Sequence, residues 1–96
     1  MDKFTVYFEE NDKNGRVYIG EQKASDAEMS FSKAGNKVFI IDHTEVKDNL
    51  RGKGAGRILL FQLVEIVRER NIKVIPLCPF VKSVFSKEES IRDVLR

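Results

Sequence analysis

A glycine-rich stretch, Arg51-Gly52-Lys53-Gly54-Ala55-Gly56, lies between an apolar run, Val38 to Ile41, and an amphipathic run, Ile58 to Val67. The first run reads as a strand and the second as a helix. Glycines at this junction let the chain turn tightly and let a ligand approach the main chain. The turn opens a helix, so it presents unpaired backbone N–H groups at the positive end of the helix dipole. Arg51, Lys53 and Arg57 add positive charge beside it. A plain tight turn would not need three glycines alternating with basic residues. The stretch is therefore expected to bind an anion, a phosphate or pyrophosphate.

Its spacing excludes two common nucleotide loops. A Walker A loop needs Gly-Lys followed by Ser or Thr, and here Gly54 follows Gly52-Lys53. A dinucleotide fingerprint needs G-x-G-x-x-G, whereas Gly52, Gly54 and Gly56 give G-x-G-x-G.

The residues before the loop read as an antiparallel meander. Phe4, Val6 and Phe8 alternate with Thr5 and Tyr7 in a strand from Lys3 to Glu9. The stretch from Glu10 to Gly15 carries turn chemistry, ending in Asn14-Gly15. A second strand spans Arg16 to Glu21, with Val17 and Ile19 on one face. A third spans Asp26 to Ser32, with Ala27, Met29 and Phe31 together. After a turn at Lys33 to Asn36, the fourth strand, Lys37 to Asp42, is apolar on consecutive positions, so both of its faces should be covered. It continues as His43-Thr44-Glu45-Val46. A helix from about Gly54 to Arg70 follows, with Leu59, Leu60, Leu63, Val64, Ile66 and Val67 as its apolar face. On its wet side Glu65 and Glu69 can pair with nearby arginines, and Asn71 is a stop signal.

Ile72 to Leu77 is a fifth strand. Strand, helix and strand then form a βαβ unit, so strands four and five should be parallel. Pro76 must lie where no ladder bond is needed. Short helices are expected at Phe80 to Phe85 and Ser90 to Leu95. Phe80 and Phe85 are assigned to the core. The fold class is α+β: a mostly antiparallel five-stranded sheet with one parallel pair and helices packed on it.

With 96 residues the chain should be one domain, 1–96. A net charge of +2 is too small to argue for nucleic acid, and the aromatics are not interleaved with basic residues as a stacking platform needs. No apolar run approaches the roughly 20 residues that span a bilayer, and Met1 to Phe4 has no signal-peptide core. The single cysteine, Cys78, excludes an internal disulfide and suits a reducing cytosol, so the expected location is cytoplasmic. Nothing in the sequence demands a dimer, and a monomer is expected.

Three ordered motifs resemble a known family. Arg51 to Gly56 fits the acetyl-CoA loop of the GNAT acetyltransferases, written Gln/Arg-x-x-Gly-x-Gly/Ala. His43-Thr44-Glu45-Val46 before it and Leu77-Cys78-Pro79-Phe80 after the helix resemble small GNAT-related acetyltransferase-like proteins. The resemblance implies a GNAT-like fold whose fourth and fifth strands splay apart, with acetyl-CoA as co-substrate and no metal. It implies that the main chain at Lys53, Gly54, Ala55, Gly56 and Arg57 donates to the pyrophosphate, with Arg51 and Gly52 in the same loop. It also implies that Thr44, Glu45 and Val46 pair with the pantetheine arm. The residues agree on location, because ligands of open sheets bind beyond the C-terminal ends of parallel strands, where His43 and Cys78 fall.

Acetyl transfer needs a base and, in a covalent route, a nucleophile. His43 is the candidate base and Cys78 the candidate acetyl acceptor. Each also has a plain structural reading, a hydrogen-bonded strand end for His43 and a small buried apolar side chain for Cys78. Glu45 is a further possible base. The sequence departs from the family in lacking a late tyrosine to act as general acid, since its tyrosines are Tyr7 and Tyr18. Two functions follow as expectations: an N-acetyltransferase acting on an unidentified amine, or a CoA-binding sensor or adaptor without turnover.

Overall fold

The computed structural model describes residues 4–96 and contains one five-stranded sheet in the order β1-β2-β3-β4-β5. The strands are β1 (Tyr7–Glu10), β2 (Asn14–Glu21), β3 (Ala24–Lys33), β4 (Val38–Val46) and β5 (Lys73–Pro76). The first four pair antiparallel, and β4 pairs with β5 in parallel. Helix α1 (Ala55–Arg70) is the crossover between the parallel strands. Helix α2 (Pro79–Lys87) follows β5, and 3₁₀ turns occupy Asp48–Leu50 and Glu89–Val94. The fold is the expected α+β sheet with one parallel pair.

Alternation along the strands sorts the sheet into two faces. Val17, Ile19, Ala27, Met29, Phe31, Phe39 and Ile41 are buried on one, where Phe31 stacks on Phe39 at 4.2 Å. Leu59, Leu60, Leu63, Val64 and Val67 bring the apolar side of α1 down onto it, and Val81, Val84, Phe85, Ile91 and Val94 extend the same core. Each such side chain contributes about 1.5–3 kcal/mol on burial. Among the described residues no polar or charged side chain is buried. The other face carries Glu9, Arg16, Glu28, Ser30, His43 and Glu45, all exposed or half-buried.

Several boundaries differ from the sequence expectation. Strand β1 begins at Tyr7, although Phe4, Val6 and Phe8 still pack against the core; Lys3 lies outside the described residues. The first turn is shorter than expected. Asn11 Oδ1 accepts the amides of Lys13 (2.8 Å) and Asn14 (2.9 Å), which closes the turn early and sends Asn14-Gly15 into β2. Helix α2 starts at Pro79, where proline needs no donor, and runs on to Lys87. The segment near the end is a 3₁₀ turn rather than a helix over Ser90 to Leu95, and Leu95 forms a parallel bridge to Val74 on the outer side of β5. The arginines of α1 pair off the helix rather than with Glu65 or Glu69. Arg57 reaches Glu88 (2.9 Å), Arg68 reaches Asp93 (2.6 Å) and Arg70 reaches Glu10 (2.8 Å).

One irregularity positions the rest of the molecule. Ser30 opposes His43 on β4, but the next residue, Phe31, opposes Ile41. Asp42 is therefore an extra residue on β4, a bulge that shifts the strand's alternation by one. Without it, Phe39, Ile41, His43 and Glu45 would share the core face. With it, Thr44 and Val46 join that face, opposite Met29 and Ala27, and His43 and Glu45 turn to the bare face.

Glu10 ties β1 to the end of α1. Its carboxylate accepts two bonds from the Arg70 guanidinium, at 3.0 and 2.8 Å, and pairs with Lys33 Nζ at 2.8 Å. Arg70, then Lys33, holds its pKa down to about 2 from an ordinary 4.5. A carboxyl depressed in the folded state stabilises above its unfolded pKa and stops doing so as pH falls through the folded value. Glu10→Gln should therefore cost about 1 kcal/mol near neutrality, after allowance for solvent screening. The difference from the parent should shrink as pH falls from 4.5 towards 2. Urea unfolding across that range measures both; a difference independent of pH would contradict it.

Candidate functional site

The parallel ladder between β4 and β5 stops after Ile41 and Pro76. Pro76 has no N–H to give. The amides of Leu77 and Cys78 then both donate to Ile41 O, at 3.0 and 3.3 Å, and the chain leaves the sheet. From Asp42 to Val46, β4 keeps β3 on one side and has no strand on the other. A short length of strand edge is thus left open inside the molecule, at the C-terminal ends of the parallel pair.

Thr44 and Cys78 meet at that opening. Cys78 Sγ donates to Thr44 Oγ1 at 3.3 Å, and the cysteine is buried at 6% exposure. Burial pushes its thiol pKa up. The Thr44 hydroxyl and the amides of Val81, Phe80 and Thr44 outweigh burial, and the thiol lies below its ordinary value. Cys78 is the N-cap of α2 without a formed side-chain cap bond, so the helix amides act through their field at that end. His43 is on the opposite face, beside Ser30, and is exposed. The pair expected to stand together, His43 and Cys78, is divided by the sheet; Thr44 is the residue that touches the thiol.

The glycine loop forms the far end of the same opening. Gly52 and Gly54 have φ of 80° and 78°, the left-handed region that side-chain-bearing residues avoid. These two residues turn the chain from the 3₁₀ turn into α1. The first turn of α1 has no side-chain cap and no acidic residue. Ile58 N–H is bonded to Gly54 O at 3.1 Å, while the amides of Gly54, Ala55, Gly56 and Arg57 lie ahead of any carbonyl one turn back. The Lys53 amide differs from the expectation, because it donates to Leu50 O at 3.2 Å. Arg51 is held loosely by Asp48 at 3.2 Å. Arg57 lies between Glu88 and the Phe61 ring, 5.0 Å from its centroid.

Between the loop and β4 runs a cavity of about 410 Å³, bordered by Thr44, Val46, Gly54, Gly56, Arg57 and Phe80. Phe80 overturns its assignment to the core. It is 39% exposed and its ring lies over Gly56, where a Cβ would come within 2.7 Å of Phe80 Cζ. Phe85 is buried as expected. The first turn of a helix beginning at Pro79 faces the opening, which apolarity alone does not reveal. The only available signal was its place directly after Cys78-Pro79.

Comparisons with known proteins agree with this fold. The family model for GCN5-related N-acetyl-transferases matches residues 16–94. Among solved structures, a GCN5-like protein from Staphylococcus aureus is 35% identical, with a TM-score of 0.75 over 100% of this chain and 91% of that one. A ribosomal-protein-alanine N-acetyltransferase from Brucella melitensis biovar Abortus 2308 shares the fold, with 18% identity and a TM-score of 0.64 over 80% of this chain and 62% of that one. A comparison with curated proteins found no match.

The thiol's surroundings give a direct prediction. Cys78 should react with iodoacetamide down to a lower pH than a thiol of ordinary acidity, since the thiolate is the reactive form. Thr44→Val removes a hydroxyl that can rotate to donate to the thiolate once Cys78 ionises, and should move that profile to higher pH. Mass-detected alkylation rates across the pH range provide the check, and superimposable profiles would remove Thr44 from this role.

Proposed function

Because the chain belongs to the GCN5-related N-acetyltransferase family, we propose that it binds acetyl-CoA and moves the acetyl group to an amine. The observation that carries this reading is the continuity of the groove. Uncapped amides at the start of α1, the basic residues Arg51 and Arg57, and the open edge of β4 at Thr44 and Val46 border one cavity. That is a path from an anion site to a strand edge, which suits a ligand with a pyrophosphate at one end and an amide-bearing arm at the other.

In this reading the amides of Gly54, Ala55, Gly56 and Arg57 donate to the pyrophosphate. Arg51, Lys53 and Arg57 neutralise its charge, and Gly52 gives the loop its turn. The main chain at Thr44, Glu45 and Val46 bonds the pantetheine arm as an added strand would. Phe80 forms an apolar wall for that arm. Acetyl-CoA supplies an acetyl group already activated as a thioester. The chain orients that group at the opening, where Thr44 and Cys78 lie, and keeps an amine's attack directed from the side of His43.

Cys78 is the residue for a covalent route. Its thiolate would form a bond to the acetyl carbon as the bond to the CoA sulfur breaks, and the amine nitrogen would then displace Cys78 and give up a proton. His43, on the other face, is the group to receive that proton from an acceptor approaching there. Transfer without the cysteine uses the same amine attack on the thioester and the same proton route.

Calorimetry with acetyl-CoA and CoA tests the binding. Gly56→Ala should weaken it about tenfold, or about 1.4 kcal/mol, because the new methyl drives the Phe80 ring into the groove. Intact mass after incubation should show an acetyl-sized gain that disappears in Cys78→Ala if the route is covalent. No binding at millimolar ligand would sink the reading. Binding with neither adduct nor acetyl-CoA consumption across a panel of amines would make the protein a CoA-binding module.

A further inference from the structure

Arg57 is the most firmly held of the basic side chains at the glycine loop, and both of its partners lie outside the groove. Its Nη2 donates to Glu88 Oε1 at 2.9 Å, and its guanidinium lies 5.0 Å from the centroid of the Phe61 ring. Neither Glu88 nor Phe61 borders the groove, although Arg57 itself does. Phe61 belongs to a neighbouring cavity of about 290 Å³ along α1, which Arg57 also lines. Arg57 thus stands between the two cavities. Arg51 differs, because its contact with Asp48 is longer, 3.2 Å, and both side chains are largely exposed. Among the described residues Lys53 makes no ion pair. Glu88 is placed by its main chain. Its N–H donates to Val84 O at 2.8 Å at the end of α2, and its carbonyl accepts the Ile91 amide at 3.3 Å. The carboxylate is therefore brought to Arg57 by the fold, while the pair itself is 47% and 30% exposed. A pair that exposed contributes little to stability and is lost at little cost.

We propose that Glu88 is a built-in competitor for the phosphate site, and that Arg57 exchanges Glu88 for the bound anion. This rests on the acetyl-CoA reading above. Arg57 carries one charge and has two candidate partners on different sides, the Glu88 carboxylate and a pyrophosphate on the amides at the start of α1. A pyrophosphate concentrates more charge than one carboxylate and is held by those amides as well. When it lies there, the Arg57 side chain turns towards the groove and the Glu88 carboxylate passes to solvent. When it leaves, Glu88 takes Arg57 back. Glu88 therefore lowers the affinity for CoA and acetyl-CoA alike and hastens the release of spent CoA. By reciprocity, the same exchange unties the end of α2 from α1 whenever the loop is occupied.

The test is a double-mutant cycle on the full chain, read by calorimetry with CoA and, in parallel, with inorganic pyrophosphate at low ionic strength. Glu88→Gln keeps the shape of the side chain and removes its charge, and should tighten both ligands about threefold. Arg57→Gln should weaken both about tenfold. In the Arg57→Gln background the Glu88→Gln change should disappear, because the competition runs through the guanidinium. Tightening that persists without Arg57 would reduce Glu88 to a distant charge and overturn the exchange. Weaker binding in Glu88→Gln would make Glu88 a support for Arg57 and overturn it equally, as would unchanged affinity. CoA binding that ignores Glu88 would leave the acetyl-CoA reading standing without the exchange. Pyrophosphate that follows the cycle on a protein that does not bind CoA would support the exchange and overturn the acetyl-CoA reading. Binding of neither ligand would overturn both.

Discussion

The structure depends on where one parallel ladder ends. Ile41 O takes the amides of both Leu77 and Cys78, and Pro76 before them offers none. Buried main-chain groups in a sheet normally find partners. Here the partner strand departs and leaves part of β4 open on one side. The groove is built around that opening: Thr44 and Cys78 at its head, the glycine loop at its far end, and the Phe80 ring along its wall. The core holds the opening in place. The leucines of α1 fix the helix on the sheet, and the helix fixes the loop against β4.

The bulge at Asp42 is the second decision. One extra residue exchanges the two faces of β4 beyond it. It brings Thr44 to the thiol and carries His43 to the solvent face. It also sets apart two charge environments that adjoin in sequence. Basic residues gather by the uncapped start of α1, and carboxylates gather on the side without a helix. In a sheet with one apolar face, the wet face is free to carry charge at little cost to the core.

The thiol shows how opposed effects are resolved locally. Burial alone would keep Cys78 protonated. The Thr44 hydroxyl and the amides at the head of α2 outweigh burial. The thiol therefore lies below its ordinary value in spite of burial, the direction that favours the thiolate.

Much of this was legible in the sequence. Alternation in Val17 to Ile19 and Ala27 to Phe31 marked the meander and its core face. The apolar spacing of Leu59 to Val67 gave α1, and Gly52, Gly54 and Gly56 with their basic neighbours marked the turn into it. These signals are local: each depends on side-chain periodicity or on a backbone conformation open to few residues. The turn at Asn11, the phase of β4 and the orientation of Phe80 were not legible. Asn11 could cap its own turn or leave it to Asn14-Gly15, and only the pairing of β1 with β2 selected the first. The sequence by itself determined the strands, the main helix, their order and the glycine loop between them. Tertiary structure alone decided that Thr44 rather than His43 meets Cys78, because a bulge is a matter of register between two strands. Register is set by how Phe31, Phe39 and Ile41 pack together under α1, and no single strand carries that information.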